Sequence, residues 1–202
     1  MIIAIKTNLS GSLFSAVKEI KQDVKSTFGE YEMINFKPHV SLLSFLSNDG
    51  SEPVIFNLFK SLKNKLKRVQ AETVVFDSFF HESNNTYTIY LKVLQSEVLT
   101  SAQITIRDVT KARIDKRFGP RKFKLVDTFH ITICSSVPEQ VVSQIVFFLN
   151  SKYSAVENIS FMVDTLTCSS FDEAGNFLNQ VTINLDHDPP GFVNGDQFEI
   201  QY

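Results

Sequence analysis

The order of apolar and polar positions predicts most of the architecture before any single residue is considered. A short apolar run from Met1 to Lys6 predicts an opening strand. Leu13, Val17, Ile20, Val24 and Phe28 then recur at helical spacing, and Gly29 supplies a stop. A strand is expected from Pro38 to Leu46, followed by a break at Asn48-Asp49-Gly50-Ser51. Ile55, Phe59, Leu62, Leu66 and Val69 predict a second helix. Thr73–Phe80 and Thr86–Val93 are rich in β-branched and aromatic residues and flank a hairpin loop, Glu82-Ser83-Asn84-Asn85. A third helix runs through Leu99, Ala102, Ile106, Val109 and Arg113 and ends before Gly119-Pro120. The strand around His130 follows. Ser136-Val137-Pro138-Glu139 then has the form of a capping box opening a fourth helix through Val141, Ile145, Phe148 and Leu149. Val156–Cys168 and Phe177–Leu185 are expected as the last strands, and residues 186–202, with Pro189-Pro190-Gly191, as an extended tail.

The resulting order is β-α-β-α-β-β-α-β-α-β-β, a pattern of two α+β lobes. Two strands in it carry the same short motif, His39-Val40-Ser41-Leu42 and His130-Ile131-Thr132-Ile133. Successive side chains in a strand point to opposite faces. His39 and Ser41 therefore share one face, as do His130 and Thr132, while Val40, Leu42, Phe129, Ile131 and Ile133 turn to the core. Brought together, the strands would set two imidazoles and two hydroxyls around one polar cleft. That suits a phosphodiester: one histidine takes a proton, the other gives one, and the hydroxyls hold non-bridging oxygens. The rival reading, a buried histidine bonded to backbone, fits one isolated case better than a repeated pattern. His130 and Cys134 are spaced as on a helix face rather than a strand, so no metal site is expected.

The stretches Pro38-His39-Val40-Ser41-Leu42-Leu43 and Phe129-His130-Ile131-Thr132-Ile133-Cys134 resemble the paired signatures of the 2H phosphoesterase superfamily. The resemblance spans residues 1–185, and the run Phe129–Ile133 with the order of elements is most similar to the U6 small nuclear RNA 3′-end phosphodiesterases. Thr132 stands where those enzymes usually carry serine. The resemblance implies an α+β fold of two pseudo-symmetric lobes, with two mostly antiparallel sheets facing across a central cleft and helices outside. It implies a cofactor-free, metal-independent phosphodiesterase acting on RNA 3′ ends, catalytic His39 and His130, phosphate-binding Ser41 and Thr132, a monomer, and a nuclear location. The alternatives are a 2′,3′-cyclic or 2′,5′-oligoadenylate phosphodiesterase, and a non-catalytic module that binds RNA ends.

With 202 residues, the chain is long enough for a core without staples, and its 43% apolar and 21% charged residues are those of an ordinary globular protein. Cys134 and Cys168 lie in apolar runs and read as reduced core residues. Met1–Ile5 is too short for a signal sequence, and no apolar run approaches a membrane span. A net charge of −2 argues against a generally basic RNA binder, but the charge is uneven. Lys111, Arg113, Lys116, Arg117, Arg121, Lys122 and Lys124 face only Asp115 in residues 111–124, and Lys116, Arg117, Arg121 and Lys122 are candidate RNA contacts. Lys60, Lys63, Lys65, Lys67 and Arg68 read as a solvated face. Tyr87, ahead of Tyr90 and Tyr153, is the candidate for stacking on a base. His81 and His187, outside the motif, are expected on the surface.

Overall fold

A computed structural model describes residues 1–47, 51–119 and 123–185. The break at Asn48-Asp49-Gly50, the candidate contacts Arg121 and Lys122, and the expected tail with His187 lie outside the described residues. The strands are β1 (Ile2–Asn8), β2 (His39–Leu46), β3 (Val69–His81), β4 (Thr86–Val93), β5 (Phe123–Leu125), β6 (His130–Val137), β7 (Ser160–Val163), β8 (Thr165–Phe171) and β9 (Phe177–Asn184). The helices are α1 (Gly11–Phe28), α2 (Glu52–Lys60), α3 (Glu97–Phe118) and α4 (Glu139–Lys152).

Local chemistry explains most boundaries. In β1, Ile3, Ile5 and Thr7 are buried on one face, and Ala4, Lys6 and Asn8 lie on the other. Leu13, Val17, Ile20 and Val24 form the buried stripe of α1, which Gly29 ends at a φ of 105° open to glycine but strained for other residues. Ser96 caps α3 by accepting the Leu99 backbone N–H.

Several expectations are corrected. Helix α2 stops at Lys60, because Leu66 turns extended and Val69 opens β3 against Val163, so Leu62 and Leu66 enter the core from a turn rather than from a helix. The strand expected over Val156–Cys168 is two strands preceded by a turn, with Asn158 in the left-handed region at φ 57°. No capping box forms at Ser136: that residue sits in β6 at φ 58°, and Pro138, which has no side-chain donor or acceptor, occupies the N-cap of α4. Strand β5 has no counterpart in the sequence pattern; its three residues pair with Leu43–Phe45 of β2.

The described strands form one antiparallel path, β7-β3-β4-β6-β2-β1-β8-β9, with β5 alongside β2. The path divides into two arms, β7-β3-β4-β6 and β2-β1-β8-β9, joined at a single residue pair, Val40 with Ile131. The two expected sheets are thus two arms hydrogen-bonded at one point, and the motif strands are neighbours at the seam. Helices α1 and α4 pack on β6, β3 and β4, while α2 and α3 pack on β8, β9, β2, β3 and β5. Val40 and Ile131 are buried in the same contiguous core as the apolar stripes of the helices, so their strand neighbours point to the opposite face.

Candidate active site

The bridge between Val40 and Ile131 fixes the arrangement of the motif residues. In an antiparallel register it sets His39 across from Thr132 and Ser41 across from His130, with the histidines on one diagonal and the hydroxyls on the other. The neighbouring ladders extend both rows. Asn8 pairs with His39 and Lys6 with Ser41 on one side. Tyr90 pairs with Thr132 and Lys92 with His130 on the other. One row across the face is therefore Lys6, Ser41, His130, Lys92, and the next is Asn8, His39, Thr132, Tyr90. The seam acts as a local pseudo-two-fold axis that exchanges the motifs but exchanges Lys6 with Tyr90.

Each imidazole is oriented the same way. His39 Nδ1 donates to the Lys37 carbonyl at 2.9 Å, and His130 Nδ1 donates to the Thr128 carbonyl at 2.7 Å. A carbonyl only accepts, so in each neutral ring the proton is on Nδ1 and the Nε2 lone pair is free for chemistry. Burial disfavours the charged form of both rings. It draws His39 down to about 4, helped by Lys6, Lys21 and His130 and opposed by the Lys37 carbonyl. His130 is also lowered, by burial, with the Thr128 carbonyl opposing. The hydroxyls of Ser41 and Thr132 make no hydrogen bond to any described residue.

Lys21 of α1 supports the site from behind. Only 4% of it is exposed, and its Nζ donates to the carbonyls of Met33 at 2.8 Å and Phe36 at 3.1 Å. Those bonds tie to α1 the loop that delivers Pro38 and His39. Burial lowers the Lys21 ammonium to about 8, against a small opposing effect of Cys134. Cys134 and Cys168 are buried free thiols, each pushed up to about 12 chiefly by burial.

A cleft of about 450 Å³ opens beside His130 and Ser41, lined by Phe79, His81 and Tyr90 on one side and by Lys124, Asp127 and Thr128 on another. Tyr90 and Phe79 lie 5.1 and 5.6 Å from the His130 ring, and Tyr90 donates to Asp77 at 3.3 Å. His81, expected on the surface, lines this cleft, with its Nε2 2.8 Å from the Thr88 hydroxyl. Tyr87, the expected stacking residue, packs instead on Phe80 at 5.0 Å and against the core, so Tyr90 takes the cleft position. Lys116 and Arg117 are exposed on the last turn of α3, outside the cleft lining, whereas Lys124 of the same basic run lies within it. The sequence reading missed Lys6, Lys21 and Phe79. Lys6 had a visible signal, a lysine that breaks the apolar run Met1–Ile5 on the strand face it shares with Ala4 and Asn8. Among the described residues, no three His, Cys, Asp or Glu side chains converge as metal ligands, and no helix is long and apolar enough to cross a membrane.

A family model described as the 2′-5′ RNA ligase superfamily matches residues 10–175. No curated protein sequence is significantly similar to the chain. Among solved structures, the fold is similar to TT0787 of Thermus thermophilus, with a TM-score of 0.57 at 13% identity, covering 93% of this chain and all of that one. It is also similar to Kluyveromyces marxianus Usb1, with a TM-score of 0.50 at 14% identity over 91% of this chain and 98% of that one. The same yeast protein with uridine monophosphate gives 0.51 at 13% identity, with the same coverage of both chains.

Proposed function

The chain belongs to the 2′-5′ RNA ligase superfamily, and from this and its crossed histidine–hydroxyl pairs we propose that it is a metal-independent phosphodiesterase acting at RNA 3′ ends. The observation that carries the reading is the pairing of His39 with Thr132 and of Ser41 with His130 about the Val40–Ile131 bridge. Two imidazoles with Nδ1 held by a carbonyl and two hydroxyls that bond to no described residue share one strand face across the seam, a set of groups suited to in-line transfer at phosphorus.

The neighbouring cations favour a division of labour. Lys6 and Lys21 lie close enough to His39 to oppose its protonation, so His39 is the base and His130 the acid. His39 Nε2 takes the proton of the 2′-hydroxyl as O2′ bonds to phosphorus. The bond from phosphorus to O5′ breaks as protonated His130 gives its Nε2 proton to that oxygen. The products are a shortened RNA ending in a 2′,3′-cyclic phosphate and the released 3′-terminal nucleoside with its 5′-hydroxyl, with His39 charged and His130 neutral. Water can then open the ring in the reverse sense, giving its proton to His130 while His39 protonates the departing 2′-oxygen. Phe79 and His81, both partly exposed at the cleft, offer faces on which a terminal base can stack, with the buried Tyr90 packed behind them, and base stacking tolerates any sequence. Removal of 3′-terminal uridines, as in maturation of U6 small nuclear RNA, is the finer form of this reading.

A second reading has its own support. The cleft of about 450 Å³ is small, and Lys116 and Arg117 lie outside its lining, which suits a short 2′,3′-cyclic substrate as well as a long RNA. Incubating the protein in EDTA with an oligouridine-tailed RNA that ends in a 3′-hydroxyl, and separately with one that ends in a 2′,3′-cyclic phosphate, and identifying product ends by mass spectrometry, separates the two. Stepwise shortening of a 3′-hydroxyl RNA supports end trimming, whereas ring opening without shortening supports the cyclic phosphodiesterase. Neither product would overturn both.

A further inference from the structure

We propose that Lys6 is a third phosphate-binding residue, whose ammonium acts with the Ser41 hydroxyl on one non-bridging oxygen and gives the near-symmetric site its direction. The inference rests on the phosphodiesterase reading and extends it to a residue outside both motifs.

Three observations converge on this residue. The first is placement: Lys6 is the register partner of Ser41, on the strand face it shares with Ala4 and Asn8, and the bridge at the seam puts His130 on the other side of Ser41. The second is its surroundings. Lys6 is half-buried, its ammonium lowered by that burial and by Lys37, yet it forms no ion pair or hydrogen bond with any described residue. Its outer neighbours are already engaged with one another: Asn8 donates to Thr167 at 2.9 Å, and the Thr167 and Thr182 hydroxyls are 2.9 Å apart. Withdrawing a cation from water without a counter-charge is costly, and a bound phosphate would offset that cost. The third is asymmetry. The pseudo-two-fold that exchanges Ser41 with Thr132 exchanges Lys6 with Tyr90, a phenol already donating to Asp77. The phosphate charge is therefore drawn toward the Ser41 side, and the aromatic groups lie on the other.

A cation fixed beside phosphorus interacts more strongly as charge builds on the non-bridging oxygens, so it acts on turnover as well as on binding. It also helps to keep His39 neutral. The charged and titratable groups facing His39 are Lys6 from β1, Lys21 from α1 and His130 from β6, while Lys37 of the preceding loop meets it through its backbone carbonyl and acts by charge on Lys6.

The test compares wild type, Lys6→Met and Lys6→Arg by binding of inorganic phosphate and uridine 3′-monophosphate, followed through the His39 and His130 ring resonances. Wild type is expected to bind both ligands, with both rings shifting. Lys6→Met is expected to weaken binding about 10- to 100-fold, to lower kcat as well as raise KM, and to raise the His39 pKa in the free protein. Lys6→Arg, which keeps the charge, should recover most of the affinity. Unchanged phosphate affinity in a folded Lys6→Met protein overturns the role of Lys6 while leaving the phosphodiesterase reading intact. Failure of wild type to bind either ligand at millimolar concentration overturns both.

Discussion

Replacing Lys21 by methionine should change how stability depends on pH, in a direction the structure fixes. The ammonium is almost wholly buried and bonded to the Met33 and Phe36 carbonyls, and burial brings its pKa from 10.5 to about 8. A pKa lower in the folded state than in the unfolded state means that, between pH 8 and 10.5, the unfolded chain holds the extra proton. Stability contributed through this group therefore rises with pH across that window. A shift of about 2.5 units corresponds to about 3 kcal/mol at the top of the window, and to none below pH 8, where both states are charged. At pH 7 the substitution has opposing effects. Two carbonyls lose a donor, at about 1–3 kcal/mol each, while the cost of burying the ammonium disappears. The slope is therefore a better readout than the stability at a single pH. Urea unfolding of wild type and Lys21→Met should give curves that diverge by up to about 3 kcal/mol from pH 8 to 10.5, the wild type gaining. Parallel curves would refute the account of Lys21 as a charged, buried tie. The same substitution frees the loop before His39, and displacement of a catalytic group by about 1 Å can cost up to about 10²-fold in turnover.

Two further outcomes follow from the site. The profile of kcat/KM against pH should be bell-shaped with its optimum on the acid side of 6.5. Activity should rise through about 4 as His39 becomes a free base, and fall as His130, also lowered, loses the acid proton; an optimum well above pH 7 would refute this assignment. An RNA lacking the 2′-hydroxyl at the scissile nucleotide should bind but remain uncut, because the nucleophile is missing; rapid cleavage of that bond in a gel assay would point to attack by water instead.

The chemistry was legible in the sequence wherever it depended on strand periodicity. His39 and Ser41, and His130 and Thr132, share faces because side chains alternate, and that needs no tertiary information. What the sequence could not show was register. The Val40–Ile131 bridge joins strands about ninety residues apart, and it decides that each histidine lies across from the other motif's hydroxyl. Tyr87 shares the core face of β4 with Ile89, Leu91 and Val93, and Tyr90 the opposite face with Lys92, so plain alternation, rather than location along the chain, decides which tyrosine meets the site. Irregular pairing hid more: a shift between Ile5 and Lys6 brings Lys6 opposite Ser41. The spacing of Leu62, Leu66 and Val69 imitated a helix because a turn and a strand buried the same residues.

The central claim is that His39 and His130 perform the two proton transfers, and the turnover of His39→Ala and His130→Ala on a 3′-uridylated RNA in EDTA tests it most directly. Each variant should lose roughly 10²–10⁴ in kcat, with thermal unfolding near that of wild type and with Thr132→Ser close to silent in the same assay. Near wild-type turnover by either folded alanine variant would contradict the two-histidine mechanism.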